Sequence, residues 1–306
     1  MKEKKSTSHN LAIFAYLAVC LFWGSTFLAI RIAVLDLPPM LSAGIRFILA
    51  GLIMLGFSYW KHCPLPTKDQ VCHQSIVGLF LLLGGNGLVV IGSQWLHSSV
   101  AALLFATVPL FIAVEELILP GGEKLMWSGW LGLVIGFGGV ALLVLTGQEK
   151  LGISFKGIVI ILIGAISWAS GSVYSKRIKS GGAMEVNLSI QMLAAGIGFV
   201  ITGLLLGEAS HASLSLNGVL AILYLIIFGS LLGYNAYIYL LSVWPMAKAS
   251  TYAYVNPFVA IFLGHLILNE PITVFVFLGT AVILVGVFMV QFSGIKKKEP
   301  LDQLTV

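Results

Sequence analysis

Apolar residues in this chain do not alternate with polar ones. They come in ten long runs, at residues 11–33, 40–60, 72–94, 98–119, 127–146, 155–175, 184–206, 217–241, 247–268 and 273–292, parted by short connectors. A helix needs roughly twenty residues to cross a bilayer core of about 30 Å. Transmembrane barrels are built instead from alternating strands of about ten residues. The pattern therefore predicts an all-α integral membrane protein of ten transmembrane helices, whose backbone groups pair within each span. No connector is long enough for an extramembrane domain. Lys2, Lys4 and Lys5 precede the first run as they would in a signal peptide. That run exceeds a signal peptide's apolar core and nine more spans follow it, so it reads as a retained first helix.

Composition agrees: 58% of the 306 residues are hydrophobic and 9% are charged, with a mean hydropathy of +1.01. The net charge of +5 is spread over connectors rather than gathered into a stripe, which argues against nucleic acid. It reports orientation instead. With the N-terminus in the cytoplasm, the inner side collects Lys2, Lys4, Lys5, Lys61, Lys68, Lys124, Lys176, Arg177, Lys179, Lys248 and Lys296 to Lys298. The outer side keeps Arg31, Lys150 and Lys156. This asymmetry places both termini inside. Cys20 falls within a span, and Cys63 and Cys72 flank an inner connector where thiols stay reduced, so no disulfide is expected. Nothing has metal-ligand spacing, and no cofactor is implied.

The chain also repeats itself. "LFWGSTFLAIR" returns as "AISWASGSVYSK" at an offset of 145, which matches Trp23 with Trp168, Ser25 with Ser170 and Arg31 with Lys176. Ala50-Gly51 meets Ala195-Gly196, and Gly84 meets Gly229, at the same offset. "ATVPLF" meets "YVNPFV" at 148, and Gly132 and Gly139 meet Gly279 and Gly286 at 147. Two five-span halves follow, residues 1–150 and 151–306. Five is odd, so the second half starts from the opposite side of the membrane, the inverted arrangement that many secondary transporters place around a midplane site.

The motifs "FWGSTFLAIRIAV", "PPMLSAGIRFILAG", "GNGLVVIG", "AALLFATVPLF", "ISWASGSVYSKR" and "TYAYVNPFVAIFLG" occur in an order that resembles the drug/metabolite transporter superfamily. The resemblance is to its two-copy, ten-span EamA type, and "FGSLLGYNAYIYL" and "YAYVNP" look most like the bacterial YedA-like branch. It implies a basket-shaped helical fold in the bacterial inner membrane. The central cavity would be lined by the first, third, fourth, sixth, eighth and ninth spans, for export of small metabolites, amino acids or drugs. The chain departs from that pattern in two places. "LPGGEK" interrupts the acidic turn after the fourth span that "NEPI" keeps after the ninth, and Glu115-Glu116 make the fourth span unusually acidic.

Candidate transport residues follow from what is costly in lipid. A helical proline frees the carbonyl four residues earlier, so Pro109 and Pro257, at matched positions, are candidate gates or packing kinks. Lys248, Tyr252 and Asn256 form one stripe of the ninth span. Asn235, Tyr239 and Ser242 do so on the eighth, and Asn86 and Gln94 lie two turns apart on the third. Amides left in lipid lack partners, so these groups line a cavity or bind helices together. Trp23 and Trp168 sit midway along their spans, away from the interfaces that tryptophan favours, with Ser25 and Ser170 beside them. Arg46 lies about six residues, roughly 9 Å, below the outer turn. It either pairs with a substrate carboxylate or plays a structural part, snorkelling outward or locking carbonyls. Glu115 and Glu116 either snorkel to the inner surface or carry protons, and His265 is a weaker candidate for coupling. Gly132, Gly139, Gly279 and Gly286 fit a close contact of the fifth and tenth spans, with each other or with a second copy, so a monomer and a homodimer both stand.

The reading is an exporter of a small-molecule substrate through the bilayer, driven by the substrate's own gradient or by protons. The alternative is a flippase for a lipid-linked carrier or anionic lipid. An enzyme is not expected: there is no HExxH, nucleotide-binding loop or catalytic dyad on one helix face. The orientation has a direct check. An impermeant maleimide added outside intact cells is expected to leave Cys63 and Cys72 unlabelled until the membrane is opened, and labelling before then would reverse the topology.

Overall fold

The computed structural model describes the backbone of residues 2–120, 124–151, 154–178, 181–211, 215–244, 246–292 and 295–296. Side chains at 2–9, 124–125, 143–151, 211, 247–248, 291 and 295–296 lie outside the description. Several basic residues of the orientation argument, Lys248 and the Gly121-Gly122 turn therefore fall outside the described side chains.

Ten membrane helices follow one another. They are Lys2–Asp36, Pro39–Trp60, Lys68–Gly92, Ser98–Ile118, Trp127–Leu151, Phe155–Arg177, Met184–Leu205, Leu216–Val243, Tyr252–Leu268 and Val274–Phe292. Local sequence sets their ends. Pro39 opens the second helix, where its missing N–H has no partner to lose. Thr67 and Gln70 close a capping box on the third. Asn269 ends the ninth in the left-handed conformation with φ 52°. Among the described residues, the one strand pairing is a short antiparallel match of Lys124–Leu125 with Ile295–Lys296.

Helices of one half pack on those of the other. The second pairs with the seventh and the fifth with the tenth, each with its own counterpart. The first packs on the eighth and ninth, as its counterpart the sixth packs on the third and fourth. The glycine pattern resolves here, because a Cβ at Gly286 would lie 2.3 Å from the Gly136 nitrogen and one at Gly132 2.7 Å from the Gly286 carbonyl. The fifth and tenth helices thus close on each other within the chain.

Two helix irregularities are also matched. The third and eighth helices each widen into a π-helical segment, at Leu79–Asn86 and Leu225–Tyr234. The fourth breaks at Ala106-Thr107, and the ninth is preceded by a break at Ser250-Thr251. The two prolines differ, however. Pro257 is interior to its helix, whereas Pro109 is in the first turn of the segment Val108–Ile118, just past the break. Pro109 therefore starts a helix rather than kinking one, which corrects the symmetric-kink expectation.

Broken and terminal backbone groups need partners, and charged side chains supply them. Arg31 donates to the Ser93 and Gln94 carbonyls at the end of the third helix, at 3.0 Å for Gln94. Its counterpart Lys176 donates to Leu241 and Trp244 at the end of the eighth, at 2.9 Å for Trp244. Cations suit helix C-termini, and inversion puts the two caps on opposite faces. Glu270, 4% exposed, accepts from the Ser98 and Ser99 amides and from both hydroxyls, at 2.7 to 3.2 Å. It thereby caps the fourth helix. Glu208 accepts from the Met40 and Leu41 amides at the start of the second.

Two outcomes are expected in thermal melting of detergent-solubilised protein. Gly286→Ala overpacks the fifth and tenth helices and destabilises by about 1–3 kcal/mol, while Gly138→Ala, with nothing within 4 Å of the added carbon, leaves the melting point in place. Glu270→Ala strands buried amides at a cost of about 1–3 kcal/mol, and Glu270→Gln, which keeps one acceptor oxygen, loses less.

Candidate functional site

Where the halves meet, the first helix presents Trp23 and the sixth presents Trp168, with ring centroids 5.2 Å apart and planes at 86°. Tyr237 and Tyr252 complete an aromatic box, 4.9 and 5.2 Å from Trp23 and 5.5 Å from each other. Such edge-to-face contacts suit the ring quadrupole. Close seating of the indoles requires glycine. A Cβ at Gly233 would lie 2.5 Å from Trp23 Nε1, and one at Gly85 2.8 Å from Trp168 Cε3. The box lies toward the face where the eighth helix ends and the ninth begins, because Tyr252 begins the ninth helix there and Tyr237 lies near the end of the eighth.

The box floors a cavity. Its wall includes Trp23, Thr26, Arg46, Asn86, Trp168, Tyr234, Tyr252 and Asn256, with Phe27, Ile30, Phe47, Leu82, Val89 and Phe105 as its apolar part. About 40 Å³ is free inside, room for roughly three waters. The conformation is therefore contracted around its centre.

Arg46 is fully buried. Its Nε donates to Ser230 Oγ at 2.9 Å, and one terminal nitrogen lies 3.4 Å from Asn86 Oδ1. Its guanidinium carbon sits 4.5 Å from the Phe47 ring centre. Both hydrogen-bond partners are neutral, and Arg46 makes no ion pair among the described residues. Outward snorkelling is thereby corrected: the side chain turns into the bundle. Trp23 Nε1 donates to the Gly229 carbonyl in the eighth helix's π segment at 3.1 Å. Its counterpart Trp168 Nε1 and the Tyr252 hydroxyl are buried without a hydrogen-bond partner among the described residues. Asn256, with its amide turned to suit its neighbours, places its nitrogen 3.2 Å from the Cys20 carbonyl and 3.3 Å from that of Tyr252.

The remaining sequence candidates stand elsewhere. Ser25 bonds Tyr224 Oη at 2.6 Å and lines a separate groove of about 730 Å³ between the first, eighth and ninth helices. Ser170 donates to Glu115 Oε1 at 2.7 Å. Glu116 pairs with Arg177 at 3.0 Å near the helix ends. Gln94 lies past the end of the third helix, exposed, with its amide on the Ile91 carbonyl. Asn235 donates to Leu231 O at 2.6 Å and borders a groove with Met54 and Glu185. Tyr239 is half-buried and does not line the cavity. His265 Nδ1 donates to the Glu270 carbonyl at 3.0 Å. For Ser25, Ser170, Gln94, Asn235 and Tyr239 the expectation of a cavity role is corrected. Helical spacing gives a face, and for Gln94, Asn235 and Tyr239 the break after Gly92 and the π segment of the eighth helix turn that face, while Ser25 and Ser170, in unbroken helices, bond to Tyr224 and Glu115. None of Glu115, Glu116 and His265 reaches the cavity, and Pro109 and Pro257 do not line it.

Residues not anticipated from sequence include Ser230, Tyr234 and Gly229. Their one signal was the Gly-Ser pair within an apolar run, matched to Gly84.

Comparison with known proteins follows the same division. A family model described as the EamA-like transporter family matches residues 10–145 and again 155–292. The uncharacterized inner membrane transporter YedA of Escherichia coli (strain K12) is 39% identical over 280 residues, 91% of this chain and 90% of that one. The uncharacterized transporter YoaV of Bacillus subtilis (strain 168) is 27% identical, over 92% of this chain and 97% of that one. A crystal structure of a protein 20% identical covers 91% of this chain and 95% of its own, with a TM-score of 0.67, and shares the fold. With both halves matched and helices that fit ten membrane crossings, the chain belongs to the EamA-like transporter family.

Proposed function

We propose that this chain is a secondary transporter of the bacterial inner membrane, with both termini cytoplasmic, that exports a small metabolite by alternating access. The observation that carries the reading is the unequal state of two matched tryptophans at one cavity. Trp23 is bonded to the π segment of the eighth helix, while Trp168 faces the equivalent segment of the third with its N–H unpaired. In an inverted repeat, the opposite-facing conformation exchanges the environments of the two halves. The same exchange would pair Trp168 with the third helix and release Trp23. The π segment of the eighth helix supplies the carbonyl that Trp23 takes, as π-bulges at functional sites do, and the third helix carries the matching segment beside Trp168. An aromatic box at the face where the eighth helix ends and the ninth begins, with a contracted cavity beyond it, agrees with a form closed toward that face.

A lipid-linked cargo is less well supported. The groove between the first, eighth and ninth helices is apolar apart from Ser25, Asp36, Asn217 and Tyr224, carries no basic side chain, and does not include Arg46.

Reconstitution tests the reading. Protein in liposomes is expected to move solutes from a panel of amino acids, organic acids and cationic dyes down their gradients, and no movement of any would overturn it. Trp168→Phe is expected to leave the melting point unchanged, since the lost N–H is unpaired here, and to slow transport by about two- to tenfold, the worth of a bond of about 0.5–1.5 kcal/mol made only in the opposite conformation. Trp23→Phe loses its bond in this conformation and is expected to lower the melting point.

A further inference from the structure

We infer that the cargo of the central cavity is a small organic carboxylate with one negative head group and an apolar body, its head received by Arg46. The inference rests on the cavity being the transport site and goes on to name the chemical class that fits it.

A guanidinium this deeply buried is strongly disfavoured unless it is compensated, and ionisable groups inside a membrane segment tend to be tied to function. Arg46 is 4% exposed, and its two hydrogen-bond partners, Ser230 and Asn86, are neutral. No Asp or Glu stands among the described residues lining the cavity. The other polar groups of the wall lean the same way. Trp168 Nε1 can only donate, and the Tyr252 hydroxyl has a proton to give; both are buried and unpaired. With its Oδ1 turned to Arg46, Asn86 adds an amide N–H₂. The wall is thus rich in donors, poor in acceptors and positive by one charge. A carboxylate satisfies all three features, and its pairing with a guanidinium is a charge-assisted bond, the strong kind.

One cation matches one negative charge, so a dianion would enter half-compensated. A cation would meet Arg46 in a low-dielectric site, where repulsion is much larger than in water. The rest of the cargo meets Phe27, Phe47, Phe105 and the two tryptophans, surfaces that bury an apolar body.

Four probes of one size separate charge from shape: phenylacetate, phenylalanine, phenylacetamide and phenethylamine, an anion, a zwitterion, a neutral amide and a cation. Binding to purified protein in detergent is read by tryptophan fluorescence and by the shift in melting temperature. Phenylacetate is expected to bind most tightly, phenylalanine more weakly because its ammonium meets the same positive site, and phenethylamine not at all. Arg46→Gln is expected to weaken phenylacetate about tenfold or more, about 1.4 kcal/mol, and to leave phenylacetamide within about threefold. Arg46→Lys, which keeps the charge without the fork, falls between. If Arg46→Gln does not fold, the wild-type series decides alone. Phenylacetamide or phenethylamine binding as well as phenylacetate, or unchanged phenylacetate binding in a folded Arg46→Gln, overturns the inference. Binding is read without flux, so the two readings fail separately. Phenylacetate bound while no solute crosses liposomes defeats the transport reading, whereas cations carried without phenylacetate binding defeat this one.

Discussion

The bilayer core offers no water to a backbone amide or carbonyl, so each group that a helix leaves unpaired must find its partner within the protein. This fold depends on that constraint wherever a helix ends, breaks or widens inside the bundle. The third helix stops at Gly92 and the fourth starts at Ser98 because Arg31 takes carbonyls of the first and Glu270 takes amides of the second. On the other face Lys176 does for the eighth helix what Arg31 does for the third. Charged residues, costly in lipid, are thus kept where an exposed helix end repays them with an opposite partial charge.

The same constraint shapes the interior. A π segment leaves carbonyls poorly matched to their own helix, and such segments lie at equivalent places in both halves, each beside the tryptophan of a helix from the other half. One indole has taken its carbonyl and the other has not. A symmetric fold therefore holds an asymmetric set of bonds at its centre.

Arg46 is the exception to tidy satisfaction. Arg31 and Lys176 cap helices, Arg177 pairs with Glu116, and Glu270 saturates its oxygens. Arg46 has neutral partners only, and its repeat counterpart Gln191 is bound to Gln74 and Tyr234 in a closed amide chain. At this position of the bundle interior the two halves differ in charge, a buried guanidinium in one standing where the other has a satisfied amide.

Much of this was legible in the sequence. Run length gives ten helices, since bilayer thickness fixes the number of residues, and the offset near 145 gives the inverted halves. The same offset matched Arg31 with Lys176, which the fold uses alike as caps of helix C-termini. Spacing also placed Trp23, Trp168, Asn86, Tyr252 and Asn256 on polar or central stripes, and the fold gathers them around one cavity. It failed for Gln94, Asn235 and Tyr239, because a regular 100° turn per residue no longer holds past a helix break or a π segment, and for Ser25 and Ser170, whose hydroxyls bond to Tyr224 and Glu115 instead. Tertiary packing alone decided that Arg46 turns inward instead of snorkelling, that Glu270 crosses from the turn after the ninth helix to cap the fourth, and that the fifth and tenth helices close on each other. Each depends on groups more than a hundred residues apart, whose meeting is fixed by shape and by the shortage of partners in lipid rather than by any local pattern.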